Sequence, residues 1–94
     1  MPFRLSAAAA VDVDRIIEYT LLNFGSEQAE KYAASLEHSF ALIAEMPMLG
    51  RKYEPRPELH QFPHGRHVIF YKIVSEDILI VRILHERMNP DWHI

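Results

Sequence analysis

The sequence contains no cysteine. A disulfide scaffold, a thiolate zinc site, an iron–sulfur cluster and a cysteine nucleophile are excluded together. Glycine is scarce, with three in 94 residues, and no Gly-rich phosphate loop stands among them. No Ser-His-Asp order stands out either. The apolar run Ile78 to Val81 is far too short to span a membrane. The opening Met1-Pro2-Phe3-Arg4-Leu5-Ser6 lacks the charged start and long apolar core of a signal peptide. A cytoplasmic protein with no membrane partner is expected. A surplus of positive charge is also missing: the net charge is −3 with histidines neutral, and the pI is about 6.0. A non-specific nucleic-acid binder is normally basic.

What is present is an ordinary globular balance, 49% hydrophobic and 24% charged, which excludes disorder as the main description. The length predicts a single domain over residues 1–94, able to bury roughly 60–65% of its unfolded surface. Charge is unevenly distributed. Residues 1–47 hold three basic and seven acidic residues, a balance of −4. Residues 48–94 hold seven basic and six acidic residues, a balance of +1, and five of the six histidines. An anionic partner should meet the second half.

Periodicity divides the chain. Residues 2–6 are short and extended. Ser6 suits a helix N-cap, and the alanines from Ala7 favour a helix over 7–24. Its apolar stripe runs through Val13, Ile16, Ile17, Thr20, Leu21 and Phe24. Gly25 suits the residue that ends it. Ser26 is predicted to cap a second helix over 26–46, with Ala29, Tyr32, Ala33, Leu36, Phe40 and Ile43 inward. Pro47 should end that helix. A loop follows through Pro57, and the period then becomes strand-like. Strands are expected at 59–62, 67–74 and 78–84, with turns at Pro63-His64-Gly65-Arg66 and Ser75-Glu76-Asp77. The predicted class is α+β: a helical hairpin packed on a curved, mainly antiparallel sheet in the order β-α-α-β-β-β. Ile17, Leu21, Leu36, Phe40 and Ile43 should pack on the last two strands.

These elements carry particular words at fixed places. They begin with Leu5-Ser6 before an Ala-rich helix start, Ile16-Ile17-Glu18-Tyr19-Thr20 before Phe24-Gly25, and Gln28-Ala29-Glu30-Lys31-Tyr32. Met46-Pro47-Met48-Leu49-Gly50-Arg51, Arg56-Pro57-Glu58-Leu59 and Phe62-Pro63 follow. His67-Val68-Ile69-Phe70-Tyr71 and Val81-Arg82-Ile83-Leu84-His85-Glu86-Arg87-Met88 complete the set. In order and spacing the sequence resembles the ParE branch of the RelE/ParE superfamily, the toxins of type II toxin–antitoxin systems. Glu58 departs from the pattern, because the family often has glycine after the Arg-Pro pair. The resemblance implies a small ParD-like antitoxin that wraps and neutralises the toxin, and a role in growth inhibition and plasmid stabilisation. It also implies a target: ParE members inhibit DNA gyrase, whereas RelE members cut mRNA on the ribosome.

The two targets demand different chemistry. Cleaving RNA needs groups that activate a 2′-OH, stabilise a pentavalent phosphate and protonate the leaving oxygen. In the ribonuclease branch an arginine commonly stands three residues before the strand tyrosine. Val68 occupies that place here, and valine can neither stabilise phosphate nor move a proton. The ribonuclease branch is also usually strongly basic. A non-catalytic gyrase inhibitor is therefore expected, with nucleic acid met only through gyrase or the antitoxin's operator complex. The ribonuclease remains the alternative, and an inactive relative that only binds its antitoxin is a third reading. Arg51, Arg56, Arg66, Arg82, His85 and Arg87 are the target-contact candidates. Arg82 is expected to pair with a carboxylate or leave at a sheet edge, and His85 to cap the strand end. No cofactor or metal is expected. His60 and His64 would converge on a metal only in a helix, which Pro63 and Gly65 oppose. Tyr19 and Tyr32 are expected in the core, and Trp92 either packs back on the sheet or anchors a contact.

Overall fold

The computed structural model describes residues 1–94. Strand β1 (Phe3–Leu5) leads into helix α1 (Ala7–Phe24) and helix α2 (Ser26–Glu45). Strands β2 (Arg51–Lys52), β3 (His60–His64), β4 (His67–Val74) and β5 (Asp77–His85) follow, and Pro90–Trp92 forms a 3-10 turn. The sheet order is β1-β5-β4-β3-β2. β1 runs parallel to β5, and every other pair is antiparallel.

The helix boundaries have local causes. Ser6 caps α1: its hydroxyl accepts the Ala9 N–H at 3.0 Å and donates to the Val81 carbonyl at 2.7 Å, so the cap also fastens the helix start to β5. Gly25 ends α1 at φ 92°, a backbone state that a side chain resists. It also stands as the N-cap of α2, without a side-chain bond. Ser26 is therefore the first helical residue and not the cap that its type suggests. Met46 is extended before Pro47, at φ −129° and ψ 78°, as the proline ring requires.

The core joins Leu36, Phe40 and Ile43 of α2 to Ile69 and Tyr71 of β4 and to Ile78, Ile80 and Ile83 of β5. The expected packing of α2 holds. In α1 the inward stripe is Ala9, Asp12, Val13, Ile16 and Thr20. Leu21 is 46% exposed, against expectation, because the stripe turns away from the sheet before the helix ends. Tyr19, Leu22 and Phe24 share that exposure.

Three departures lie in the sheet. β2 was not foreseen: it is two polar residues long and pairs only through Arg51 with Gln61 and Lys52 with His60, too short to show a period. Pro63 and His64 belong to β3, and the loop to β4 is Gly65-Arg66 alone. The ladder between β4 and β5 slips at Phe70/Tyr71, where Tyr71 faces Ile80 and Phe70 faces Arg82. Val81 is the additional residue, a β-bulge that reverses the alternation after it. Ile83, and not Arg82, thus continues the core row of Ile78 and Ile80.

The loop after α2 is tied to the sheet by the Tyr71 hydroxyl. It donates to the Pro47 carbonyl at 2.9 Å and accepts the Gly50 N–H at 2.8 Å. A Cβ on Gly50 would stand 2.7 Å from that hydroxyl and 2.8 Å from the Gln61 carbonyl oxygen. Glu58 needs no glycine, because its φ is negative. Its carboxylate pairs with Arg56 across the turn closed by Leu59 N–H to the Arg56 carbonyl at 2.9 Å.

Leu36 is 1% exposed at the centre of this packing. Leu36→Ala should lower stability by about 2–5 kcal/mol, read as a lower urea midpoint with an unchanged slope.

Candidate functional site

The bulge in β5 decides which side chains meet the helices at the open end of the sheet. With the alternation reversed, His85 faces His67 of β4, their ring centroids 5.6 Å apart and nearly perpendicular. The Glu86 N–H donates to the Arg66 carbonyl at 2.8 Å, which joins the β3–β4 loop to the end of β5. Opposite these residues stands the tip of the helical hairpin. Together they enclose a cleft of about 780 Å³. The hairpin contributes Arg15, Tyr19, Phe24 and Tyr32, and the sheet contributes Arg66, His67 and His85. No carboxylate lines it.

A network of hydroxyls and imidazoles holds α2 against the β3–β4 hairpin behind this cleft. Ser35 Oγ donates to the Tyr32 carbonyl at 2.8 Å. Its oxygen is therefore left to accept, and His64 Nε2–H donates to it at 3.0 Å. Ser39 Oγ then donates to His64 Nδ1 at 2.8 Å. Tyr32 Oη lies 2.7 Å from His67 Nδ1 and 3.4 Å from the His64 carbonyl. We assign the phenol proton to the shorter contact, which places the His67 proton on Nε2. In His85, Nδ1 accepts the Arg87 N–H at 3.1 Å, so its proton also sits on Nε2.

Burial sets the ionisation of this network. His64 is held below the ordinary histidine value by burial. His67 is held below it by burial, then by positive charge on His85 and His64, with Glu86 pulling the other way. Burial also raises the Tyr32 phenol, which remains a donor at neutral pH.

The second polar centre lies deeper, between α1 and β5. Arg82 Nε and Nη2 donate to the two Asp12 carboxylate oxygens at 2.8 and 2.9 Å. The Ile83 N–H adds a third bond to Asp12 at 2.9 Å. Arg82 Nη1 donates to the His93 carbonyl at 2.6 Å, and the Tyr53 hydroxyl donates to Asp91 at 2.8 Å. These bonds strap the C-terminal segment to the sheet. Arg82 has found the carboxylate expected for it.

The other candidate residues fall into two regions. Arg66 and His85 line the cleft, with Arg66 3.7 Å from Glu86 and largely exposed; Arg87 follows, with its N–H on the His85 ring. Arg51 on β2 and Arg56 in the following loop are distant from it in the sheet order. Arg56 is paired with Glu58 at 3.1 Å, and Arg51 and Arg87 make no ion pair. His64 and His67 are used by hydroxyls, and His60 stacks on Tyr71 at 5.2 Å with both ring nitrogens buried and unpartnered. No three potential ligands converge on a metal position. Tyr19 is 63% exposed and not in the core, and Trp92 is 83% exposed and does not pack on the sheet. Arg15, Tyr32, His67 and Asp12 were missed as site residues. Asp12 had a signal, an acid inside the Ala9, Val13, Ile16 stripe.

With this geometry in view, comparison with known proteins is decisive. Residues 3–90 match the family described as "ParE toxin of type II toxin-antitoxin system, parDE". The chain belongs to the ParE toxin family. It is 38% identical to Toxin ParE1 of Caulobacter vibrioides over 94 residues, 99% of this chain and 97% of that one. It is 35% identical to Toxin ParE1 of Mycobacterium tuberculosis, over 98% of this chain and 96% of that one. Among solved structures it superposes on a chain of the chromosomal ParDE toxin–antitoxin system of P. aeruginosa. The TM-score is 0.79 at 18% identity, covering 90% of this chain and 95% of that one. A chain of the RelBE2 toxin–antitoxin complex of Mycobacterium tuberculosis gives a TM-score of 0.63 at 20% identity, covering 89% and 95%. The chain thus shares its fold with both of these solved toxin–antitoxin structures. No helix is long and apolar enough to cross a membrane.

Two measurements test the polar centres. Asp12→Ala should leave the Arg82 guanidinium uncompensated, at a cost of about 3 kcal/mol, and loosen residues 90–94 in amide exchange. The pH dependence follows from His64 and His67. Folding keeps both rings neutral, whereas the unfolded chain binds protons near the ordinary value of 6.5. The unfolded state therefore carries more protons below that pH. Stability should be full above about pH 6.5 and fall as pH drops through it, levelling only below the depressed folded values. A urea midpoint that stayed constant from pH 7.5 to 5 would contradict the network, and His64→Gln should flatten the slope.

Proposed function

We propose that this ParE-family toxin acts in the cytoplasm by binding and inhibiting DNA gyrase, with no catalytic step of its own, and that a cognate ParD-like antitoxin neutralises it. The observation that carries the gyrase reading is Val68. It stands three residues before Tyr71, at the position where the ribonuclease branch commonly has an arginine. In the sheet it pairs with Pro63 on one side and Leu84 on the other. It offers neither a charge for a pentavalent phosphate nor a proton for a leaving group. The net charge of −3 further opposes approach to ribosomal RNA.

Arg51, Arg56, Arg66 and Arg87, with His85, are the groups proposed to meet gyrase or its bound DNA. Their planar forks suit carboxylate and phosphate alike. Arg82 serves behind them, holding β5 and the C-terminal segment in place. The antitoxin has a different surface. Val11, Leu21 and Leu22 on the hairpin, and Met48 and Leu49 beside the β2 edge, are exposed aliphatic side chains. Large apolar groups in this number on a small domain mark a partner surface, and an edge strand of two residues leaves backbone groups for added pairing.

A supercoiling assay with purified gyrase, run beside translation-coupled mRNA cleavage, distinguishes the two targets. The toxin should block supercoiling and leave transcripts intact. Arg56→Glu or Arg87→Glu should weaken inhibition about tenfold with little change in thermal midpoint, and His85→Ala should weaken it only modestly. Loss of toxicity in a folded His85→Ala variant, with cleaved transcripts in the parent, would transfer the function to the ribonuclease alternative.

A further inference from the structure

The cleft at the hairpin tip combines two of the proposed gyrase contacts, Arg66 and His85, with Arg15, His67 and aromatic rings that neither that reading nor the antitoxin surface uses. Its charged and imidazole groups are donors. Arg15 makes no ion pair, and Arg66 has only the long contact of 3.7 Å to Glu86. His67 and His85 each have Nδ1 occupied as an acceptor. Each is therefore left with one Nε2–H, which has no protein acceptor and is not sealed from solvent. Thr20, also in the wall, spends its hydroxyl proton on the Ile16 carbonyl at 2.8 Å. In a chain of net charge −3, a cleft lined by two arginines, two imidazoles and no carboxylate is a local inversion of sign. Such a concave positive site concentrates anions.

The hairpin side of the cleft carries aromatic rings next to Arg15. Tyr19 and Phe24 stand with ring centroids 6.4 Å apart, at 63°, and both are largely exposed. Tyr32, fixed through His67, also lines the cleft. Exposed aromatic rings beside a cationic groove are the combination that takes up nucleotides: the base stacks on a ring, and arginine forks and N–H groups hold the phosphate. About 780 Å³ falls in the size range of small-molecule sites.

We propose that this cleft is a binding site for a phosphorylated planar base, a mononucleotide unit whose base lies against Tyr19 and Phe24 and whose phosphate lies among Arg15, Arg66 and the two Nε2–H groups. Two sources present the same chemistry, a free nucleotide and a nucleotide within a single strand. The site shares Arg66 and His85 with the proposed gyrase contacts, but Arg15 and Phe24 lie outside those contacts, so variants at these two test the cleft separately from the gyrase reading.

The test is titration of the purified full chain with AMP, followed by calorimetry and by the ring resonances of His67 and His85. AMP should saturate and shift both rings. Adenosine and inorganic phosphate should each bind about tenfold more weakly, because each engages only the rings or only the cationic groups. Arg15→Ala and Phe24→Ala, both at exposed positions, should each weaken AMP about fivefold or more while the thermal midpoint stays put. A six-residue oligoadenylate binding much more tightly than AMP, with the same sensitivity to both variants, assigns the unit to a strand; equal affinity assigns it to a free nucleotide. Failure of both probes to saturate by millimolar concentration overturns the proposal. So does binding indifferent to Arg15→Ala and Phe24→Ala, or displacement of AMP by a peptide alternating Glu and Phe that binds more tightly than AMP itself.

Discussion

The carboxylate of Asp12 accepts the two-pronged fork of Arg82 and the backbone N–H of Ile83, and through Arg82 it reaches the carbonyl of His93. Three parts of the chain meet there: the first turns of α1, the stretch of β5 just past its bulge, and the C-terminal segment. A bulge leaves a strand locally unpaired and bent. Here the Ile83 N–H is satisfied by a side chain from the helix, so the irregularity is locked in one arrangement. The bulge in turn fixes which residues of β5 face the helices. Were the alternation uninterrupted, the row of Ile78 and Ile80 would continue through Arg82 and Leu84, and His85 would turn from the cleft. The pair is nearly buried, with side chains 18% and 8% exposed. Desolvation is costly at that depth, and the pair's contribution is best understood as selecting this register and tail position over others.

A second constraint acts along the middle of α2. Its serines and Tyr32 spend their hydroxyls on the imidazoles of His64 and His67. Serine in a helix interior is a weak choice by propensity, and Ser39 is buried as well. Both features make sense once the hydroxyls serve as partners for buried imidazoles. The network requires His64 to be an Nε2–H tautomer and leaves Nε2–H of His67 to the cleft. The imidazole of His67 is thus set by Tyr32 within the cleft, while Ser35 and Ser39 hold His64 behind it.

Most of the fold was legible because its signals are local. The Ser6 cap, the Gly25 stop, the extended residue before Pro47 and the two strand-rich runs each depend on a few adjacent residues. The failures are those in which local preference competes with something distant. Ser26 is a good cap by type, but Gly25 already occupies the position. Leu21 continues a helical stripe that no longer has a sheet beneath it. The stretch Ile78 to Leu84 is apolar throughout, so nothing in it marks Val81 as the additional residue, and the facing of His85 was hidden with it. Charge asymmetry picked out the arginines of the second half without showing which converge. Arg66 and His85 share a cleft, Arg82 turns inward, and Arg51 and Arg56 lie elsewhere. Arg15, on the acidic half, was passed over for the same reason: composition counts charge by segment, whereas the cleft gathers it across the hairpin and the sheet.

The exposed residues at the hairpin tip connect stability to function. A chain of 94 residues has little apolar surface to spare for a core. Yet Tyr19, Leu22 and Phe24 are 63%, 75% and 65% exposed. Each forgoes a share of the roughly 25 cal/mol per Å² that burial contributes. Rearranging the stripe of α1 to bury them would withdraw Asp12, Ile16 and Thr20 from the sheet and undo the pairing with Arg82. The tip therefore stays uncovered within the isolated chain, and whatever binds it stabilises the native state by mass action. For a member of a toxin–antitoxin family this makes the uncovered surface a point of coupling: a partner that seats on the hairpin adds to the stability of the toxin while it masks its surface. The aliphatic groups along the hairpin and the aromatic, donor-lined cleft are adjacent, so occupancy of one bears on access to the other.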